Sequence, residues 1–353
     1  MPKNTVLREK DKAVLNAIVE HYLRFGRPVS SGAIVQKRIL SDSPATVRNI
    51  MAKLEQLGYL FQPHTSSGRV PTDTGLRFYV NSLFDETLFA REPVALESPE
   101  FALDRGDFPA YLTRVSRLLA EQSDSLGFVI SPRISKINFN HLRLVKISEE
   151  KLMVILMTTF NLVLTEIVET RHYFTQYELD KASQSINRRF RGKNLTFVRD
   201  CLINEIPRYK TSYENEINKI TSLLRDYILL EEKEGQIIFQ GASRLLDKAE
   251  LFNTEKLKSL FQNFEEKVKL TKLLSDFISL DRVKVLIGAE SNIPDISDCA
   301  LVLSHYGYNN QVLGSLGVIG PKRIPYRRII PLVDRVAQKL SQTISQGEWR
   351  GEK

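Results

Sequence analysis

The segment from Ser41 to Leu60, SDSPATVRNIMAKLEQLGYL, concentrates side chains whose chemistry is recognition rather than bond-making. Ser43 is a good N-cap, Pro44 fits the first helical position, apolar residues recur at Val47, Ile50, Met51, Leu54 and Leu57, and Gly58 supplies a stop. At about 100° per residue the five apolar side chains share one face. Ala45, Asn49, Ala52 and Gln56 point the opposite way, flanked by Thr46, Arg48 and Lys53. A narrow face of small residues that also carries Arg, Asn and Gln suits the major groove of DNA. Small side chains permit close approach, and the polar ones can meet base edges bidentately. Solvent-facing helices are also commonly polar, so the reading needs support from neighbouring elements.

Two helices precede this one. From Glu9 to Phe25 an apolar stripe runs through Val14, Leu15, Ile18, Val19, Tyr22 and Leu23, and Gly26 ends it. Ser30 and Ser31 are good N-cap residues for a short second helix with Ile34, Val35, Ile39 and Leu40, which carries the basic pair Lys37 and Arg38. Three helices of this kind, the last with a recognition face, describe a helix-turn-helix. After Gly58, YLFQPHTSSGRVP reads as a short apolar run, a turn-rich tip from His64 to Gly68, then Arg69, Val70 and Pro71, the shape of a β-hairpin wing.

Charge locates the same region. The chain of 353 residues carries 50 Lys+Arg against 42 Asp+Glu, a formal charge of +8. The first 80 residues hold 12 of the basic and 6 of the acidic side chains, a surplus of +6 that leaves +2 for the rest. A phosphate-binding module would carry such an excess, although a solvated basic surface would too. Between 41 and 75, Arg48, Lys53 and Arg69 are balanced by Asp42, Glu55 and Asp73. If the module binds DNA, the basic excess would serve approach and phosphate anchoring from the first two helices, and specificity would rest on a nearly neutral face.

Composition, at 42% hydrophobic with 17 Gly and 14 Pro, suits two or three folded domains. Cys201 and Cys299 form neither a disulfide framework nor a metal pair, so a reducing, cytoplasmic setting is expected. MPKNTVLREKDK places charges where a secretory apolar core would stand, and the most apolar stretch, 151–169, is interrupted by Thr158, Thr159, Asn161 and Thr165. Neither export nor a membrane span is expected.

Other candidate chemistry is weak. The five histidines, at 21, 64, 141, 172 and 305, show no metal-ligand spacing, and no metal or cofactor is implied. Asp298, Cys299, Ser304 and His305 fall near one another, but on alternate faces of a strand pattern and without a nucleophile elbow, so no catalytic residue is assigned. Gly314, Gly317 and Gly320 superficially suggest a phosphate cradle; with Pro321 following, turns are the better account. The basic cluster Lys322, Arg323, Arg327 and Arg328 reads first as a solvated helix start, with an anion site or a face toward the N-terminal module as alternatives.

Downstream, 76–89 reads as a connecting helix and 91–109, with Pro93, Pro99 and Pro109, as linker. A helix over 111–122 and a strand over 126–130 follow. Three β runs at 141–148, 152–159 and 162–169 suggest an antiparallel meander, with helices over 177–190, 195–206 and 213–232. Strands at QIIFQ, 283–288, 299–304 and 311–319 accompany helices around 243–252, 255–280 and 326–345. Because the 126–130 strand has no obvious local partner, the pattern permits a body split by an insertion of roughly 136–234.

The words PVSSGAI and SPATVRNIMAKLEQLGYLFQPHTSSGRVPTDTGLRFYV closely resemble the signature of the HrcA family of bacterial heat-inducible transcription repressors. FQGASRLLDKAELF, VLIGAESNIPDISDCALVLSHYG and GVIGPKRIPYRRIIPLVD extend the resemblance over most of the chain. Ser30-Ser31-Gly32, Ile50 and Ser67 depart from the usual family residues. The resemblance implies an α+β multidomain protein: a winged helix-turn-helix over 1–104, a GAF-like domain over 105–135 and 235–345, and an inserted dimerisation domain of a three-stranded sheet plus helices over 136–234. It implies a homodimeric, non-enzymatic repressor of chaperone operons that binds an inverted-repeat operator in double-stranded DNA and is kept active by the chaperonin until heat stress. Thr46 and Asn49 would then meet or approach bases, and Arg48 and Lys53 bases or phosphate. Ser31 and Ser43 would hold phosphate, and His64, Thr65, Ser66, Ser67, Gly68 and Arg69 would form the wing. The alternative is a winged-helix regulator that senses a metabolite in a pocket of the GAF-like domain.

Overall fold

The computed structural model describes residues 7–36, 43–64, 67–85, 108–132, 137–158, 163–170, 173–205, 237–246, 282–291, 297–308 and 311–346. The helices expected at 213–232 and 255–280, and residues 37–42, Thr65 and Ser66, lie outside them.

The chain begins with α1 (Glu9–Phe25), α2 (Ser31–Gln36) and α3 (Pro44–Gln56), followed by a minimal antiparallel pair, β1 (Leu60–Phe61) and β2 (Val70–Pro71). A bridge between Val29 and Arg69 adds a third short extended segment to the pair. α4 (Asp73–Asp85) follows directly. Val14, Leu15, Ile18, Ile34, Val47, Leu54 and Val80 are almost fully buried, so the expected apolar stripes of α1 and α3 do meet in one core.

α5 (Phe108–Ser123) starts three residues earlier than the apolar pattern suggested and takes Pro109, assigned to the linker, into its first turn, where a missing N–H costs nothing. β3 (Leu126–Ile130) is buried at every position. The expected meander then appears as β4 (Phe139–Lys146), β5 (Lys151–Thr158) and β6 (Val163–Glu169), a separate three-stranded antiparallel sheet. α6 (Gln176–Phe190) covers one face and also closes the β4 edge: Asn187 accepts from the Leu142 N–H at 2.6 Å and donates to its carbonyl at 2.9 Å, and Gln176 accepts from the Lys146 N–H at 2.9 Å. α7 (Leu195–Glu205) follows.

The strand without a local partner finds two distant ones. β7 (Ile237–Gln240), α8 (Ala242–Leu246), β8 (Val283–Ile287), β9 (Cys299–Tyr308) and β10 (Gln311–Pro321) complete a five-stranded sheet ordered β7-β3-β10-β9-β8, with every described pairing antiparallel. Residues from both sides of the three-stranded unit thus share one sheet. α5 and the C-terminal α9 (Tyr326–Gln346) pack against it. Gly314, Gly317 and Gly320 lie within β10, between β3 and β9, rather than in turns: the central strand is crowded on both sides, and three residues without side chains let it pass. Tyr306, fully buried in β9, donates to the Ile130 carbonyl at 2.7 Å, and burial pushes its hydroxyl well above the usual phenol range.

Replacing Tyr306 by Phe strands the Ile130 carbonyl lone pair that the phenol now meets. We expect a loss of about 1–3 kcal/mol in urea denaturation, with the fold retained.

Candidate nucleic-acid interface

α3 is built as its residues dictate. The Ser43 hydroxyl accepts from the Thr46 N–H at 3.2 Å and lies 3.0 Å from the Thr46 hydroxyl, Pro44 occupies the first turn, and Gly58 follows the helix with φ +80°. Val47, Met51 and Leu54 are buried, and Ile50 and Leu57 pack against the same core. Ala45, Thr46, Arg48, Asn49, Ala52 and Gln56 are exposed. Among the described residues, Arg48, Asn49 and Gln56 have no side-chain hydrogen bond or ion pair within the chain.

Two neighbouring cations are differently placed. Lys53 reaches across 42 positions to Asp11 on α1, at 2.5 Å, and the Asp11 side chain is only 6% exposed. That carboxylate also accepts from the Arg8 backbone N–H at 3.3 Å. Arg69 donates from Nε to Glu55 on α3 at 2.9 Å. Lys53 therefore ties α3 to α1, and Arg69 ties the hairpin to α3. Each contact steadies the exposed face, and the Lys53 side chain, 41% exposed, still borders it.

The hairpin itself is closely fitted. Val29 and Arg69 exchange two backbone hydrogen bonds, each 2.8 Å, and a Cβ on Gly68 would lie 2.4 Å from the Val29 carbonyl. Only glycine allows that approach. At the tip the Ser67 hydroxyl accepts from the His64 N–H at 3.0 Å and donates to the His64 carbonyl at 2.7 Å, while the Gln62 amide donates to the Ser67 carbonyl. His64 is exposed. Ser31 is 8% exposed at the start of α2, whereas Ser30 is exposed and its hydroxyl accepts from the Ala33 N–H at 3.3 Å. Ser30 is thus the capping residue and the one whose hydroxyl faces outward.

Sequence reasoning missed Asp11 and Glu55. Asp11 had a signal, because it falls in register with Leu15, Ile18 and Tyr22 on the apolar stripe of α1; Glu55 had none. Elsewhere, Cys299 and Ser304 are buried, and the Ser304 hydroxyl donates to the Arg282 carbonyl at 2.5 Å, which assembles no nucleophile. Among the described residues no cluster of His, Cys, Asp or Glu could hold a metal, and no helix is long and apolar enough to cross a membrane. A cleft of about 550 Å³ opens between α4 and β8, lined by Arg77, Phe84, Arg282, Lys284 and Glu290. Its Arg77 is paired with Glu290 and its Arg282 with Asp334.

The fold is that of an α+β protein with a small helical N-terminal unit and several sheets. The model for the "HrcA protein C terminal domain" matches residues 110–330. A heat-inducible transcription repressor HrcA from Geobacter sulfurreducens is 34% identical over 344 residues, covering 98% of this chain and 100% of its own. One from Xanthomonas euvesicatoria is 33% identical over 338 residues, covering 96% of each. A solved crystal structure of a hypothetical protein shares the fold at a TM-score of 0.71 and 24% identity, over 97% of this chain and 100% of that one. The chain belongs to the HrcA family of heat-inducible transcription repressors.

Lys53 and Arg48 sit on one helix but have different work, which stability measurements should separate. Lys53→Met leaves the buried Asp11 carboxylate unpaired and should cost about 1–3 kcal/mol, partly recovered by adding Asp11→Asn. Arg48→Met should stay within about 0.5 kcal/mol of the parent.

Proposed function

We propose that the N-terminal unit is a winged helix-turn-helix that reads an inverted-repeat operator in double-stranded DNA, and that the chain acts as a homodimeric repressor of chaperone operons. The observation that carries this reading is the division of labour on α3. Asn49, Arg48 and Gln56 are exposed and unengaged on a face otherwise made of Ala45, Ala52 and Thr46, while Lys53 and Arg69 hold that face in place. Asn49 and Thr46 meet or approach bases, Arg48 reads a base edge or phosphate, and Ser43 with the α3 N-terminus meets phosphate. His64 to Arg69 form the wing, with Arg69 and Gly68 setting its position and His64 at its exposed tip. Lys53 acts through Asp11, and Ser30 replaces Ser31 as the hydroxyl able to meet phosphate.

The unit spans 1–104, the GAF-like body 105–135 and 235–345, and the inserted dimerisation domain 136–234. The five-stranded sheet drawn from both flanks of the three-stranded one supports that division. A dimer is needed because one helix reads few base pairs and each mismatch costs only about 1–3 kcal/mol. The sheet face opposite α6 suits self-association: Met153, Ile155, Met157, Val163 and Ile167 lie on it, with Ile167 55% exposed. Family membership supports a chaperonin dependence, in which the chaperonin would keep the repressor active and heat-damaged proteins would compete for it. A metabolite sensor is the alternative reading; the pairing of Arg77 and Arg282 within the chain supports a scaffold role for the body.

Titration on an inverted-repeat duplex and a scrambled control at two salt concentrations tests the reading. The repeat should bind more tightly at both, Asn49→Ala should lose about 10- to 100-fold on the repeat alone, and added chaperonin should raise the active fraction. Equal affinity for repeat and control would refute it. Sedimentation tests the dimer: Ile167→Glu should convert a dimer to a folded monomer, and a monomeric parent protein would contradict the assignment.

A further inference from the structure

Of the readings its sequence allows, the basic cluster at 322–328 follows the face toward the N-terminal module through Lys322 and Arg327, while Arg327 and Arg328 remain exposed. Lys322 pairs with Asp73 at the first turn of α4, its Nζ 2.8 Å from Oδ1 and 2.9 Å from Oδ2. One turn later Arg77 donates from Nε to Glu290 at 2.8 Å, pairs with it again through Nη2, and donates to the Val285 carbonyl of edge strand β8 at 2.6 Å. Glu290 is itself held by the Ile287 N–H at 2.9 Å. Arg327 reaches Glu20 on α1 at 3.5 Å, and the Tyr79 hydroxyl donates to the same carboxylate at 3.4 Å. Burial, with Glu20 adding, pushes the Tyr79 phenol up to about 12, so it stays a donor at neutral pH.

Two left-handed glycines lie at the joint, each close to the end of a charged side chain of the other unit. Gly26, at the end of α1 with φ +67°, lies beneath Arg323 of the body: a Cβ there would meet the guanidinium at 1.4 Å. Gly288, after β8 with φ +58°, lies beneath Asp73 of the module: a Cβ there would meet its carboxylate at 2.2 Å. Each unit thus presents a left-handed glycine under a charged side chain of the other. Three ion pairs and a hydrogen bond to the Val285 carbonyl join α1 and α4 to the body. Half-exposed pairs of this kind are individually weak and sensitive to salt, so the joint is specific in direction without being permanent.

We propose that this ionic clamp is a positioning device: by setting the direction of α3 relative to the body, it determines which half-site spacing a dimer accepts. The proposal rests on the DNA-binding reading above for its second half. Glu290 and Lys322 are the positioning residues to test, because both lie outside the N-terminal unit and neither is placed against DNA.

The experiment compares the full chain with a Glu290→Gln/Lys322→Met double variant and a Lys322→Arg control. Spin labels at Ala13→Cys and Glu121→Cys in a Cys201→Ser background, diluted with unlabelled chain, report the module-to-body distance. The double variant should broaden the distance distribution about twofold, and Lys322→Arg should keep it narrow. In operator duplexes whose half-site spacing is varied, the parent protein should lose about tenfold in affinity when spacing shifts by half a helical turn, and the double variant less than about threefold. Binding to a single half-site should change by less than about twofold. An unchanged distance distribution overturns the clamp; a broadened one with the parent's spacing preference overturns its role in operator choice. If the parent protein shows no operator preference, the DNA-binding reading fails, and the label distances still decide the clamp.

Discussion

A thirteen-residue helix with one apolar stripe cannot hold itself in water, and α3 depends on covering Val47, Met51 and Leu54 with the stripe of α1. That burial decides which side chains face outward. Once the stripe is inside, Ala45, Asn49, Ala52 and Gln56 have only one direction left. The Asp11 carboxylate, almost fully buried in α1, fixes the crossing further, because a charge out of water needs its partner and Lys53 supplies it. A pair of this kind contributes little net stability over an apolar substitute, but it penalises any rotation or slip of α3 that separates the charges. The outward face is thus a consequence of packing: it is what the core leaves over, and the proposed recognition rests on it.

The same logic continues outward in weaker forms. The Arg69 side chain attaches the hairpin to Glu55 of α3, and its backbone, bonded to Val29, attaches it to the loop before α2. The module as a whole is attached to the body through α1 and α4. Buried apolar residues of the module and of the body belong to one continuous cluster, and three partly exposed ion pairs flank it where the two meet. The contacts thus pass from a buried core inside the module to partly exposed, salt-sensitive pairs at its joint with the body.

Much of this was legible from residue patterns, because helices and strands declare themselves through local periodicity. The limits of α1, the capping serine and first-turn proline of α3, the glycine after it, the hairpin and β3 all follow from neighbours within a few positions. What sequence reasoning missed is long-range. Nothing local reveals that Lys53 and Arg69 have acidic partners 42 and 14 positions away, so residue types alone assign them only to nucleic acid. The 322–328 cluster was read mainly as solvated because its acids lie some 250 to 310 positions upstream, as with Lys322 and Asp73 or Arg327 and Glu20. The choice between Ser30 and Ser31 as cap turned on one residue of helix phase, finer than adjacent serines can specify. The three glycines of β10 were assigned to turns because tight packing and tight turning use the same residue.

The central claim is that the outward face of α3 reads bases. The structure of the dimer bound to an inverted-repeat duplex tests it most directly. The account predicts both α3 helices in successive major grooves, with Asn49 and Arg48 of each copy within hydrogen-bond distance of base edges or, for Arg48, of a flanking phosphate. Lys53 would remain on Asp11. A complex in which α3 faces away from the grooves, or in which Asn49 touches no base while Lys53 leaves Asp11 for the DNA, would contradict it.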